Sequence, residues 1–199
     1  MIYIKLRLLV IAAMALGALG TGNATATELY SGATTLGVGT ELKSTLSGSA
    51  ALTDTSGNPI VTCSASAMNA RLDNAGSATT TVSGSIEAKN LSFTSCTSTI
   101  TVTGGGSFEH HHIAGTHNLT LTGKALHVVV HVFGVECGYG TGSGAHLGTL
   151  TGKTDGTPSV QHLAPIVAKV TGGFLCPSTA RLIATYLVTS PTNLRGAAS

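Results

Sequence analysis

Apolar and polar residues alternate along most of the chain with a period of two, the spacing of strands that bury one face. In Thr40–Ala50, Leu42, Ser44, Leu46, Gly48 and Ala50 fall on one side and Glu41, Lys43, Thr45 and Ser47 on the other. Thr79–Glu87 groups Val82, Gly84 and Ile86 with hydroxyls opposite, Ser98–Thr103 turns Ile100 and Val102 inward, and Leu182, Ala184, Tyr186 and Val188 make a closing strand. Beyond the first 26 residues the densest apolar run is Lys124–Cys137. Its β-branched residues favour a pleated strand over a helix. Leu126, Val128, Val130 and Val132 share the inward face; Ala125, His127, Val129, His131 and Phe133 share a mixed one.

Turn residues punctuate these runs. Thr55-Ser56-Gly57-Asn58-Pro59 separates two strands, and the second, Ile60–Ala65, carries Cys63. Met68–Leu72 reads as a further short strand ending at Asp73-Asn74-Ala75-Gly76. Asn118–Thr122 and the Val-rich run read as a hairpin about Gly123-Lys124. In residues 158–170 Val160, Leu163, Ala164 and Val167 fit a helical face interrupted by Pro165, so one short helix is allowed there. Short segments such as TLSGSA, TVSGSI, LTLTGK and GTLTGK recur at irregular spacing, as shared strand-and-turn chemistry rather than a solenoid. About ten short strands with hardly any helix predict an all-β fold, a two-sheet antiparallel β-sandwich of immunoglobulin-like or jelly-roll-like form.

The first 26 residues stand outside this pattern. Lys5 and Arg7 precede the apolar run Leu8–Leu19, and Ala24-Thr25-Ala26 is a small-x-small cleavage site. That combination predicts a signal peptide over 1–26 and a single domain over 27–199. The run is shorter than the roughly 20 residues a membrane-spanning helix needs. No second long apolar stretch follows, so no transmembrane segment is expected in the mature chain. Export places it outside the cell or in the periplasm.

Charge narrows the partners. The leader holds two of the ten basic residues and none of the eight acidic ones, so the mature chain carries 8 − 8 = 0 with neutral histidines. Nothing in that balance forms a basic patch for nucleic acid. Cys63, Cys96, Cys137 and Cys176 are an even number in an exported chain, which implies two disulfides. Three connectivities are possible; the sequential one, 63–96 and 137–176, staples neighbouring strands within each half of the chain.

The histidines are the residues that suggest a site. On strands, His110 and His112 share a face, as do His127 and His131. If the two strands met on one sheet with matching faces, three imidazoles could converge on Zn²⁺ or Cu²⁺. Otherwise they line a polar strand face, the reading preferred here, with no cofactor. A one-residue slip would send each ring to the opposite face. Glu109 is the one carboxylate in their company. Gly148–Thr154 (GTLTGKT) is one residue short of a P-loop, and GxSxG and HExxH are absent, so no catalytic set is indicated. Tyr30, Tyr139 and Tyr186 would furnish only a thin sugar-stacking surface.

The runs ATELYSGATTLGVGT, GVECGYGTGSG followed by LGTLTG, and GGFLCPSTARLIATYLVT resemble a group of exported bacterial proteins of about this length. The FLCPS and CxYGxGS-like stretches carry that likeness across nearly the whole mature chain. The four-cysteine, Ser/Thr/Gly-rich, strand-only layout is more distantly similar to the small exported activators of alkane oxidation. Neither group implies catalytic residues. The expected role is therefore a non-enzymatic cell-surface, envelope or extracellular-matrix component, meeting an unknown protein or matrix partner and able to self-associate through sheet edges. The alternative is a small Zn- or Cu-binding domain built on His110–His131.

Overall fold

A computed structural model describes residues 27–124, 126–132 and 134–198. The expected leader and the positions of Ala125 and Phe133 lie outside the described residues. The first strands are β1 Thr27–Ser31, β2 Thr34–Thr35, β3 Glu41–Leu46, β4 Ala50–Thr53, β5 Pro59–Asn74 and β6 Val82–Ile86. After a 3-10 turn at Ala88–Asn90 come β7 Leu91–Cys96, β8 Ile100–Gly104, β9 Gly106–His112, β10 Leu119–Lys124 and β11 His127–Val132. The last are β12 Val135–Gly140, β13 Ala145–Thr151, β14 Val160–Leu163, β15 Ile166–Thr171, β16 Thr179–Ser190 and β17 Leu194–Ala198.

The fold is all-β, and every strand pair is antiparallel. Its organising elements are the two longest strands, β5 and β16. Pairing in the order β14-β13-β10-β9-β6-β5-β3-β16 returns to β14 and closes an eight-stranded barrel. Closure removes the exposed edges that an open sheet would present. The first half of β5 and of β16 extends beyond the barrel, where β4 bridges them. There β7 adds to β5, while β15, β12, β11 and β8 add in turn to β16. A closed ring with strands outside it thus replaces the two facing sheets expected. Alternation along a strand says which face is buried, not whether the ends of a sheet meet.

Two cores follow from this sharing. Leu42, Ala70, Leu72, Val82, Leu119, Leu121 and Leu150 fill the barrel, and Leu29 and Leu194 of the small β17-β1-β2 sheet pack on it. Leu52, Val61, Val128, Val130, Tyr139 and Leu182 form the second core. Val128 and Val130 point inward as the spacing predicts, with Leu126 and Val132 partly buried beside them. β5 serves both cores by changing phase: Val61 and Cys63 are buried, Ser64 and Ala65 both exposed, then Ser66, Met68, Ala70 and Leu72 buried. That slip is why the sequence reads as two short strands where one runs through. Gly84 is needed where β6 crosses Phe108, because a Cβ there would collide with the phenyl ring and the Arg71 carbonyl oxygen.

Two local expectations are corrected. Residues 158–170 form no helix; Pro165 separates β14 from β15, both extended. β10 does not turn back onto the Val-rich run. It pairs with β9 and β13, whereas β11 pairs with β8 and β12. The disulfides are Cys63–Cys96 and Cys137–Cys176. The first joins directly opposed residues of β5 and β7, the second ties β12 to the β15–β16 connection.

Tyr139 and Tyr186 are core residues, not a stacking surface. The Ser66 hydroxyl donates to the Ser92 carbonyl at 2.6 Å, so the Tyr186 hydroxyl donates to Ser66 Oγ at 2.7 Å and links β16, β5 and β7. The Tyr139 hydroxyl is equally buried and has no partner among the described residues. Tyr186→Phe should therefore cost about 1 kcal/mol by removing a buried hydrogen bond to Ser66, while Tyr139→Phe should cost nothing or stabilise. Urea denaturation of the two variants checks this; equal losses would refute it.

Candidate functional site

The histidines are separated by the strand order. On β9, Phe108 and His110 point into the barrel, while Glu109 and His111 point out. His110 is only 2% exposed and meets Phe108 edge-on, with ring centroids 4.9 Å apart. Its Nδ1 has no partner among the described residues. Burial, assisted by the neighbouring His111, pushes its pKa from 6.5 down to about 3, so the ring is neutral at ordinary pH. His112 sits at the strand end and donates from Nε2 to the Thr116 carbonyl at 2.7 Å.

His127 and His131 lie on β11, outside the barrel. From β9 the sheet passes through β6, β5, β3, β16, β15 and β12 before it reaches β11. His131 Nε2 is 3.3 Å from Glu136 Oε1 on the neighbouring strand. His111 Nε2 is 3.1 Å from Thr122 Oγ1 and 3.5 Å from Glu109 Oε2. Among the described residues, no three His, Cys, Asp or Glu side chains are grouped to hold a metal ion. Nor do the four rings form one polar face, since His110 is inside the barrel.

Among the concave regions of the described residues, two bear on a site. The barrel interior has a cavity of about 60 Å³ lined by Leu121, Leu150, Phe108 and the polar groups of Ser44, His110 and Gln161. Ligand pockets run to roughly 300–1,000 Å³. This one is of a size for a few waters bridging polar side chains of its lining.

The second region is a polar cleft of about 380 Å³ on the outer face where β3, β5, β6 and the 3-10 turn meet. Glu41, Arg71, Asp73, Glu87 and Lys89 line it with Asn69, Ser85 and Asn90. Register builds it: Glu41 opposes Arg71, which opposes Ser85. Lys89 Nζ is 2.7 Å from Glu87 Oε2; that hydrogen bond lowers the Glu87 pKa and raises the Lys89 pKa. The cleft offers donors and acceptors of both signs, and its charged groups face water. Alternation places Glu41 and Lys43 outward, yet residues 41, 71, 73, 87 and 89 share no local signal. Only strand pairing brings them together.

The outermost apolar feature is elsewhere. Among the described residues seven large apolar side chains are exposed, and five of them, Ile166, Val170, Phe174, Leu175 and Ile183, belong to β15, β16 and their connection. Comparison of the chain with protein-family models, with curated proteins and with solved structures found no match. The functional reading rests on geometry and chemistry.

Proposed function

We propose that this chain is an exported, non-enzymatic β-protein that works as a cell-surface, envelope or extracellular-matrix component through its exterior. The observation that carries the reading is the concentration of exposed apolar side chains on the β15–β16 hairpin, held in place by Cys137–Cys176. Both barrel and second core are packed with side chains, which leaves the outer surface to do the work. Two disulfides suit an oxidising compartment. No helix among the described residues is long and apolar enough to cross a membrane. Fractionation of expressing cells, with protease added to intact cells, tests the proposal. The protein should appear outside the cytoplasm, oxidised and accessible to protease; a reduced, protected cytoplasmic protein would sink it.

A further inference from the structure

Resting on that reading, we propose that the β15–β16 hairpin is a lipid-surface anchor that inserts Phe174 and Leu175 into an anionic bilayer. Phe174 is 93% exposed and Leu175 51%, at the tip of the connection between the strands. Val170 (56%) and Ile166 (61%) continue the apolar surface down the outward face of β15.

The tip is built, not slack. Cys176 is bonded to Cys137, and its backbone N–H donates to the Gly173 carbonyl at 3.2 Å. Lys169 Nζ donates to the Gly173 and Cys176 carbonyls at 3.2 and 3.3 Å. Gly172 has φ +118°, and a Cβ there would press on Cys176 Sγ and the Glu136 carbonyl oxygen. The connection is thus fixed in the conformation that points two large apolar groups at solvent, so little ordering remains to oppose insertion.

Charge selects the occupant. From residue 156 to the end of the chain there is no Asp or Glu. Lys169 lies in the hairpin, and exposed Arg181 stands directly opposite Ile166 on the outward face. The adjoining strand contributes one carboxylate, Glu136, whose Oε1 is 3.3 Å from His131 Nε2. A hairpin that carries two cations, no carboxylate and an apolar tip complements an anionic lipid surface, where basic side chains meet headgroups and apolar ones pass beneath them. A projecting tip also needs no shaped pocket, whereas a stable protein interface wants about 800 Å² of complementary surface on each side.

The chain has no tryptophan, so Phe174→Trp supplies a single reporter. The exported, oxidised protein is mixed with vesicles of phosphatidylglycerol and phosphatidylethanolamine, and separately with phosphatidylcholine alone. It should float with the anionic vesicles, and the emission of the Phe174→Trp variant should shift to the blue. Phe174→Ser with Leu175→Ser should lower partitioning by about tenfold or more, with unchanged melting temperature, since both sites are exposed. Arg181→Gln should weaken anionic-vesicle binding by roughly fivefold at low salt and much less at about 0.5 M. Absence of flotation, flotation indifferent to the double substitution, or a double substitution that alters only self-association would each overturn the anchor. The last result would make a second copy of the chain the occupant. A protein that reaches the cell surface yet ignores vesicles refutes the anchor and leaves the surface-component reading standing; cytoplasmic retention refutes both.

Discussion

Acidification from pH 7 to pH 4 should destabilise the protein by about 3 kcal/mol through His110 alone. The native imidazole titrates near 3 against an ordinary 6.5. Between those values the unfolded chain binds a proton that the folded chain refuses. The neutral-histidine contribution is therefore intact above pH 6.5 and is lost as pH falls toward 3, with a slope approaching 1.4 kcal/mol per pH unit. The cause is burial of the ring in the barrel beside Phe108, with no carboxylate among the residues lining the cavity. Asp54, Glu87 and Asp155 also have lowered pKa values, through hydrogen bonds from Asn58, Lys89 and Thr157 respectively. Their effects have the same sign but begin lower, at carboxylate pH. Urea midpoints measured from pH 7 to pH 4 should show the slope in the wild type and a much flatter line for His110→Leu. A wild type flat over that range, or a variant as steep, would refute the assignment.

Removing Cys137–Cys176 by paired Cys→Ala substitution should cost about 4 kcal/mol, the loop-closure entropy returned to the unfolded chain for a separation of 39 residues. Against a usual total of about 5–15 kcal/mol that is a large fraction. The same substitution should expose the chain near Phe174 to chymotrypsin-like cleavage before global unfolding, because the disulfide pins the β15–β16 connection to β12. Removing Cys63–Cys96, whose separation is 33, should cost nearly as much but leave that connection resistant. A loss below about 1 kcal/mol for either pair would mean that the unfolded chain is already compact and that the entropic account fails. Peptide mapping without reductant checks that only these two pairs exist.

Much of the local structure is legible in the residues. Period-two alternation places Val128 and Val130 inward on β11 and Leu182, Ala184, Tyr186 and Val188 inward on β16, because burial of one strand face depends on neighbours two apart. An even cysteine number suggests two disulfides, and the sequential pairing is the one that staples neighbouring strands within each half of the chain. What the alternation cannot carry is partnership between distant strands. Nothing near Val160 or Thr185 says that β14 pairs with β16 and closes the ring. Nothing near His110 says that it points into a barrel while His127 and His131 stand on a strand outside it. The phase slip at Ser64–Ala65 hides one long strand as two, since a period broken by one residue looks locally like an end. The charged cleft over Arg71 arises from register alone. Tyr139 and Phe174 make the same point from opposite sides: one aromatic is wholly buried and the other almost wholly exposed. Sequence alone determined which stretches become strands and which faces they hide, because those follow from contacts within a few residues. Only the tertiary structure decided which strands meet, what the barrel encloses and which apolar side chains stay outside, because each depends on pairing across the whole chain.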